Sequence, residues 1–310
     1  MSKFYTPSVN ADDVKPIGAI TPYPFQQEVI NDVIAYIREE WAKCKAEPGR
    51  RFEPAVVEAY VSAGKTIMIG ALAAHSNSVG ARTLILSRTG ELVEQNSDEC
   101  TNMGAKNAIM CASLGLKGVG APTIIGSEGT VANALKVQLS GIVFHSIYID
   151  EVQEVDWHET MTLLADDKYE TANQYATILA HYIRLNPRVA IIGFTGTPYR
   201  GSESIIGPFF KRTVGPKIDR QWLVENNYIH QTIFGYGDYE YDMHEYDGQH
   251  KNGAEDFSSS ELKAMGDKAD EKLTHNIMRE VMQIMAKRNG ALITCASLRH
   301  CKQAAEMLPK

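Results

Sequence analysis

The sequence EAYVSAGKT at residues 58–66 follows an apolar run at residues 55–57 and precedes an amphipathic segment at residues 67–74. This order predicts a strand, a tight loop of small residues and a helix. In such a loop successive backbone N–H groups point inward, and with the positive end of the following helix they form a pocket for phosphate oxygens. We therefore expect the phosphates of a nucleotide to lie against three loop residues, Ser62, Ala63 and Gly64.

Lys65 and Thr66 end this loop with side chains that suit a nucleoside triphosphate. A lysine at this position reaches the β and γ phosphates. A threonine hydroxyl can bind the magnesium ion that enters with the nucleotide, because Mg²⁺ prefers oxygen ligands in near-octahedral geometry. Ala59 stands where the first glycine of such a P-loop is usual, so a surface loop is the alternative for these nine residues taken alone.

Composition and charge limit the classes of protein to which the chain can belong. Its 310 residues are 44% hydrophobic, enough for one large core or two. No apolar run approaches the ~20 residues that span a bilayer, and the N-terminus lacks the apolar core of a signal peptide. We therefore expect a cytoplasmic protein without a membrane partner. The net charge of −7 gives no general attraction to nucleic acid, so such binding must come from local groups.

Cysteine usage argues against two classes of stabilising site. The five cysteines include no CxxC pair. This spacing speaks against a disulfide framework and against a zinc site. Buried free thiols are the expected state.

Strands and helices alternate outward from the loop. Predicted strands cover residues 82–86, 108–111, 123–127, 142–149 and 189–194, and predicted helices cover residues 91–100, 129–139, 159–165, 172–185 and 217–227. This alternation predicts an α/β fold in which helices cover both faces of a parallel sheet. In such sheets ligands bind at the carboxyl ends of the strands, where the polar clusters of this sequence lie.

Asp150 and Glu151 follow the apolar strand predicted at residues 142–149, so both carboxylates should emerge at the edge of the sheet that carries the phosphate loop. In nucleoside triphosphatases of this layout, the first carboxylate binds magnesium, usually through water. The second orients and deprotonates the attacking water. Alone, an Asp-Glu pair after a strand is more often a helix N-cap. With the phosphate loop upstream, it indicates a hydrolytic site.

The order of these segments resembles that of superfamily 2 helicases and translocases of the DEAD/DEAH type. Phe25-Gln26 is similar to the Q motif, residues 59–66 to motif I, 86–95 to motif Ia, 127–130 to motif Ib, 150–153 to motif II and 195–198 to motif III. Within the superfamily, residues 92–96, 197–200 and 290–309 resemble bacterial or phage RadD-like repair helicases. Gln153 replaces the usual His or Asp of motif II, and Gly196 replaces the alanine of motif III.

The resemblance implies a role for each motif residue, with ATP and Mg²⁺ as cofactors. Catalysis falls to Lys65, Glu151 and Gln153, metal binding to Thr66 and Asp150, and adenine recognition to Phe25 and Gln26. Contact with nucleic acid and its coupling to the nucleotide fall to Arg88, Thr89, Ser127, Thr130, Thr195, Thr197 and Arg200, with Tyr199 beside them. From the residues alone, Phe25-Gln26 could be a hydrophobic staple with a polar cap. Arg88 and Arg200 could likewise be solvated surface charges.

The resemblance also predicts the domain organisation. It implies an N-terminal arm at residues 1–19, a RecA-like P-loop domain at residues 20–235, a connector at residues 236–289 and the start of a second RecA-like domain at residues 290–310. In the last two parts we expect a strand at residues 236–243, a helix from about residue 260 and a strand at residues 290–297. Motifs V and VI are not found in the 310 residues, so we expect slow ATP hydrolysis, with a second RecA-like domain supplied in cis or in trans.

The function that the resemblance implies is an ATP-dependent helicase or translocase. Its partner should be DNA, single-stranded or branched and bound without sequence preference, because backbone amides and hydroxyls read phosphates rather than bases. RNA is the alternative polymer. The motor of a restriction enzyme and an adaptor that binds ATP without hydrolysing it are the alternative functions.

Overall fold

The computed structural model describes residues 20–166, 168–171, 173–231, 238–239, 259–268, 271–286 and 292–308. The chain divides into two units, Met1–His230 and Gln231–Lys310. The arm predicted at residues 1–19 lies outside the described residues, as does most of the strand predicted at residues 236–243. The predicted domain boundaries stay predictions.

The first unit consists of alternating helices and strands. Its helices are α1 (Pro24–Ala46), α2 (Lys65–Ser78), α3 (Gly90–Asn102), α4 (Glu128–Ala134), α5 (Trp157–Ala165), α6 (Gln174–Leu185) and α7 (Arg220–Glu225). Its strands are β1 (Ala55–Glu58), β2 (Thr83–Ser87), β3 (Asn107–Cys111), β4 (Leu116–Lys117), β5 (Thr123–Ser127), β6 (Ser146–Asp150), β7 (Ala190–Thr195), β8 (Tyr199–Arg200), β9 (Glu203–Ser204) and β10 (Arg212–Thr213).

Within the described residues, eight strands form one sheet in the order β10-β1-β7-β6-β2-β5-β3-β4. Neighbouring strands are parallel except for β4, which runs antiparallel to β3. All residues of β2, β6 and β7 are buried, as expected where helices cover both faces of a parallel sheet. Helices α1, α2 and α3 contribute to one core cluster, while α4 and α6 contribute to another. The predicted α/β fold is confirmed.

Several helices begin where a short polar side chain caps the first turn. In the described part of the first unit, α3, α5, α6 and α7 start after an N-cap whose side chain accepts a backbone N–H of that turn. These caps are Thr89, Asp156, Asn173 and Asp219. Such side chains satisfy N–H groups that the helix itself leaves without a partner.

Several predicted elements are shorter than expected; the helix predicted at residues 217–227, for example, spans only Arg220–Glu225. The helix predicted at residues 129–139 ends at Ala134, and the strand predicted at residues 142–149 begins only at Ser146. Ser146 lies opposite Thr83, where the neighbouring strand β2 begins. Before Ser146 the neighbouring strand β2 offers no paired residue. The backbone N–H of His145 instead donates to the Arg82 carbonyl, and the backbone N–H of Arg82 donates to Nδ1 of His145. Gly141, with a φ of 77°, lies in the turn that separates the two elements.

The second unit contains helices α8 (Ser259–Lys268), α9 (Glu271–Met285) and α10 (Leu298–Glu306). The strand predicted at residues 290–297 is wrong for residues 292–297, which form no strand. A strand needs a neighbour to pair its backbone groups, and the described part of this unit contains none. None of the helices in the described ranges combines the length and apolarity that crossing a bilayer requires.

Candidate active site

The loop between β1 and α2 contains two residues with left-handed backbone. Ser62 has a φ of 73° and Gly64 a φ of 77°. Glycine adopts this region freely, whereas serine does so at a cost that is common in ligand-binding loops. A Cβ atom on Gly64 would lie 2.4 Å from Nε2 of Gln26. Glycine is therefore required here both for its backbone and for the close approach of a side chain.

Lys65 and Glu151 meet at the carboxyl edge of the sheet. Lys65 is the first residue of α2, and its Nζ lies 3.1 Å from Oε1 of Glu151. The lysine side chain is only 9% exposed, and the glutamate is 34% exposed. Strands β1 and β6 are both neighbours of β7, so their ends bring the phosphate loop and the acidic pair together.

Asp150 ends β6 and is 4% exposed. Its Oδ2 accepts a hydrogen bond from Nδ2 of Asn96 at 3.2 Å, while its buried Oδ1 has no hydrogen-bond partner. Burial raises the pKa of Asp150 above its ordinary value, and the Asn96 hydrogen bond opposes that shift. A buried oxygen without a partner is costly unless a ligand satisfies it. The free oxygen therefore fits a magnesium ligand.

A magnesium ion at Asp150 would take few ligands from the chain. In the described parts of the sequence, no group of three or more His, Cys, Asp or Glu side chains is placed to hold a metal ion. Mg²⁺ commonly keeps several waters and binds through one or two protein groups together with substrate phosphates. Asp150 fits this mode of binding, whereas the metal role of Thr66, the second residue of α2, stays a prediction.

Asn96 is a site residue that the sequence reasoning missed. It lies on α3, directly after the segment compared with motif Ia, and is fully buried. Besides Asp150, its Nδ2 lies within hydrogen-bond distance of Oγ of Ser87 and of the Leu92 carbonyl. The sequence feature that could have identified Asn96 is a polar residue at a position that the helical pattern places in the core. Buried polar side chains usually form a hydrogen bond with another polar group.

A chain of hydrogen bonds links the acidic pair to the end of β7. Gln153 donates from Nε2 to Oε2 of Glu151 at 3.0 Å, and its Oε1 accepts from the Thr195 hydroxyl at 2.6 Å. The Thr195 oxygen in turn accepts from the backbone N–H of Thr197 at 2.9 Å. Glu151 itself has left-handed backbone, with a φ of 53°. Lys65, Glu151, Gln153, Thr195 and Thr197 thus form one continuous polar network.

Phe25 and Gln26 are both buried. Nε2 of Gln26 donates to the Ala63 carbonyl at 2.8 Å, and its Oε1 accepts from the backbone N–H of Tyr23 at 2.8 Å. The ring of Phe25 packs edge-on against Trp222 and Tyr228. Gln26 therefore ties the phosphate loop to the start of α1. Adenine recognition by these two residues stays a prediction.

Four of the residues predicted to contact nucleic acid, Arg88, Thr89, Ser127 and Thr130, lie at or just after the ends of β2 and β5. Arg88 is 59% exposed, and the hydroxyl of Thr89 accepts the backbone N–H of Leu92 at the start of α3. The hydroxyls of Ser127 and Thr130 lie 2.9 Å apart, and that of Thr130 accepts the backbone N–H of Ala112. Strands β2 and β5 are neighbours, with Ser87 opposite Ser127, so these groups share one edge.

A cleft of about 540 Å³ opens at this edge. Arg88, Ser127 and Thr130 line it together with further polar residues, among them Lys117, Asn133 and Gln174. Lys117 lies on β4, a two-residue edge strand too short to be recognised from a sequence pattern. The sequence reasoning therefore missed this cation.

Arg88 and Arg200 are each paired with an acidic residue just beyond Glu151. Nη1 of Arg88 lies 3.1 Å from Oε1 of Glu154, and Nη2 of Arg200 lies 3.3 Å from Oδ2 of Asp156. Neither arginine is simply a solvated charge. Their predicted contacts with nucleic acid stay predictions.

Comparison with solved structures gives low similarities. The UvsW helicase of bacteriophage T4 is 17% identical with a TM-score of 0.42, over 64% of this chain and 61% of that chain. A second T4 UvsW structure is 14% identical with a TM-score of 0.46, over 98% and 55%. The DNA-bound Type ISP restriction-modification enzyme LlaBIII is 12% identical with a TM-score of 0.42, over 68% and 16%. Such similarities establish nothing about function, and the chain spans less than two thirds of each of these proteins.

Comparison with protein families is more decisive, although no curated protein matches the chain. The family model described as "Type III restriction enzyme, res subunit" matches residues 19–200, which is more than half of the chain and includes motifs I to III. The assignment to RadD-like proteins stays a prediction. The chain belongs to this ResIII family and is thus a superfamily 2 helicase-type protein.

Proposed function

We propose that this chain is the ATP-binding part of a helicase or translocase that hydrolyses ATP·Mg²⁺ to move along or remodel DNA. The observation that carries the proposal is the 3.1 Å contact between Lys65 and Glu151, beside the buried and unpartnered Oδ1 of Asp150. A phosphate-binding cation, a metal-binding carboxylate and a candidate base thus share one edge of the sheet. Membership of the ResIII family supports the same function.

Each part of the hydrolytic site has a proposed role. The loop N–H groups and Nζ of Lys65 bind the β and γ phosphates. Thr66 and Asp150 would hold Mg²⁺, which when bound would neutralise charge on the γ phosphate. When Lys65 exchanges its contact with Glu151 for phosphate, the Glu151 carboxylate becomes free to orient and deprotonate water. Gln153 keeps Glu151 in position through its bond with Thr195.

We propose DNA as the polymer because the family description names a restriction enzyme. Arg88, Thr89, Ser127 and Thr130 would contact the phosphate backbone, and Arg200 would contact it beyond β7. These groups are cations and hydroxyls, which position a strand without reading its bases. Binding should therefore be independent of sequence and should weaken as salt is raised.

Two finer roles are compatible with this activity. A motor subunit of a restriction enzyme is favoured by the family description. A repair helicase similar to RadD is favoured by the segments at residues 92–96 and 197–200. A nuclease that acts only when this ATPase is intact would identify the first role.

We also propose that ATP hydrolysis by this chain alone is slow. Among the described residues of the first unit, the arginines next to the acidic segment, Arg88 and Arg200, are each paired with a carboxylate. An arginine contributed across the cleft by a second RecA-like domain is typically worth ~10³- to 10⁵-fold in turnover. Rapid DNA-stimulated turnover by the chain alone would contradict slow hydrolysis.

The hydrolytic role can be tested by measuring ATP binding and turnover for the wild type and Glu151→Gln. We expect the variant to retain ATP while turnover falls by about 10²- to 10⁴-fold, the usual contribution of a general base. Glu225→Gln is the control, because Glu225 is an exposed carboxylate on α7 that accepts from Gln221. It should leave turnover unchanged.

Two outcomes would contradict the proposed function. Wild-type turnover by Glu151→Gln would exclude Glu151 as the base. Turnover raised by RNA but not by single-stranded or duplex DNA would exclude DNA as the polymer.

A further inference from the structure

Three acidic side chains follow β6 within six residues, and each meets a different cation. The pairs are Glu151 with Lys65 at 3.1 Å, Glu154 with Arg88 at 3.1 Å, and Asp156 with Arg200 at 3.3 Å. The three cations come from separate elements: Lys65 follows β1, Arg88 follows β2, and Arg200 lies on β8, which pairs with β9 outside the eight-stranded sheet. Residues 151–156 therefore form ion pairs with the three cations that the proposed function assigns to phosphates.

We propose that Glu154 and Asp156 are positioning residues that hold Arg88 and Arg200 until the phosphates of a nucleic-acid strand displace them. The inference rests on the proposed function, because it assigns both arginines to the strand. It adds that the strand competes with carboxylates of the segment that also carries Glu151. Binding of the strand would then change ion pairs in the same short segment as Glu151, the proposed base.

The local structure holds these acids at the surface. Val152 and Val155 are fully buried, so the short helical turn Val152–Glu154 is anchored in the core on either side of Glu154. A Cβ atom on Gly193 of β7 would lie 2.4 Å from Val152, which shows how closely the turn packs on the sheet. The segment therefore cannot easily follow the arginines when they leave.

Asp156 has two separate roles. Its Oδ1 accepts the backbone N–H of Glu159 and caps α5, while its Oδ2 pairs with Arg200. The cap needs only a side-chain oxygen, whereas the ion pair needs the charge. Asparagine caps helices as well as aspartate does. Asp156→Asn should therefore remove the ion pair and keep the helix.

The pairs are exposed enough for phosphate to replace them. Arg88 and Arg200 are 59% and 45% exposed, and their partners are 39% and 25% exposed. Exposed ion pairs contribute little to stability, because water and salt compete with them. A phosphate backbone offers many charges at once and gains further from the release of counterions. Each carboxylate is therefore a weak competitor that the strand can displace.

Glu154→Gln, Asp156→Asn and the double variant test the inference in the full chain. We expect each single variant to bind labelled oligothymidine about two- to five-fold more tightly, the range that an exposed ion pair accounts for. The double variant should bind more tightly still. The ratio of ATP turnover with DNA to turnover without it should fall, because the unliganded protein already has both arginines released.

The matched control is the double variant Glu47→Gln with Asp219→Asn. Glu47 pairs with Arg50 at 3.3 Å, and Asp219 caps α7 by accepting the backbone N–H of Trp222. The control thus makes the same change of net charge, loses one ion pair and keeps one cap. It should bind oligothymidine like the wild type.

A mutant cycle with Arg88→Gln separates the specific pair from a general effect of charge. The gain from Glu154→Gln should disappear in the Arg88→Gln background. If the gain persists there, or if the double variant binds no more tightly than the control, the inference is wrong. If the wild type binds neither DNA nor RNA, the proposed function itself fails. Glu154→Ala replaces Glu154→Gln in the cycle if thermal unfolding shows the latter to be misfolded.

Discussion

At the scale of single residues, the site depends on side chains that join two elements at once. The carboxamide of Gln26 bonds both the start of α1 and the carbonyl of Ala63 in the phosphate loop. Asn96 holds Asp150 from the neighbouring helix α3. In each case a buried polar group has a partner from a distant part of the chain, so the loss of one side chain affects two elements.

Gln26→Ala should lower the free energy of unfolding by about 1–3 kcal/mol, because it leaves the Ala63 carbonyl without its partner. Nucleotide affinity should fall as the loop loosens. Measuring the affinities for ATP and for GTP separates the two roles of Gln26. An equal loss of both affinities indicates that Gln26 holds the loop. A loss of the preference for ATP indicates that it recognises adenine. Gln27→Ala is the control, since Gln27 bonds only Asn31 on the same helix. An unchanged affinity for both nucleotides would contradict either role.

Asp150→Asn should stabilise the protein in the absence of Mg²⁺. Burial raises the pKa of Asp150, so the ionised carboxylate is unfavourable in the folded state, and asparagine removes that charge. We expect the free energy of unfolding to rise relative to that of the unliganded wild type. Thermal unfolding with and without ATP·Mg²⁺ measures this. The wild type should gain stability from the ligand, whereas Asp150→Asn should gain little. A variant less stable than the unliganded wild type would contradict this explanation.

At the scale of elements, the strand order decides which groups become neighbours. β7 lies between β1 and β6 and so brings the phosphate loop beside the acidic pair. β2 lies between β6 and β5, so Arg88, Thr89, Ser127 and Thr130 continue the same edge of the sheet. The edge strand β4 adds Lys117 to the cleft at the end of β5.

Lys117→Ala should weaken binding of DNA about equally for all sequences. A lysine that contacts phosphate contributes one released counterion, so the slope of log affinity against log salt should fall by about 1. Fluorescence anisotropy over a range of salt concentrations measures both effects. Lys45→Ala, which removes an exposed lysine in the last turn of α1, is the control. Equal salt slopes for Lys117→Ala and the wild type would place Lys117 outside the interface.

At the scale of the whole molecule, the first unit partly buries three histidines away from the site. Burial lowers the pKa of His75, His145 and His181 below the ordinary value of 6.5. Nearby arginines act in the same direction. These histidines therefore stay neutral in the folded protein at pH values where the unfolded chain already binds protons.

Acidification from neutral pH to about pH 5 should consequently destabilise the protein. At these three histidines the unfolded state binds more protons than the folded state below pH 6.5, so their contribution to the free energy of unfolding falls as the pH falls. Urea denaturation at a series of pH values measures this. His145→Asn, which keeps an acceptor for the N–H of Arg82, should reduce the slope. Stability that rises on acidification in this range would contradict the prediction.

Much of the fold and of the site was predictable because it depends on local patterns. The apolar run before residues 58–66 and the small residues within 58–66 predict the strand, the loop and the helix that we propose to bind phosphate. Asp150 and Glu151 follow another apolar run, so their place at a strand end was predictable too. The sequence also determined that helices cover both faces of the sheet, because its central strands contain few polar residues.

Only the tertiary structure decided which of these parts touch. Strand order and register place Glu151 against Lys65, Glu154 against Arg88 and Asp156 against Arg200. The start of β6 at Ser146 follows from the start of its neighbour β2. The physical reason is the same in each case: contacts between segments far apart in sequence depend on which strands pair and at what register, and no local pattern contains that information.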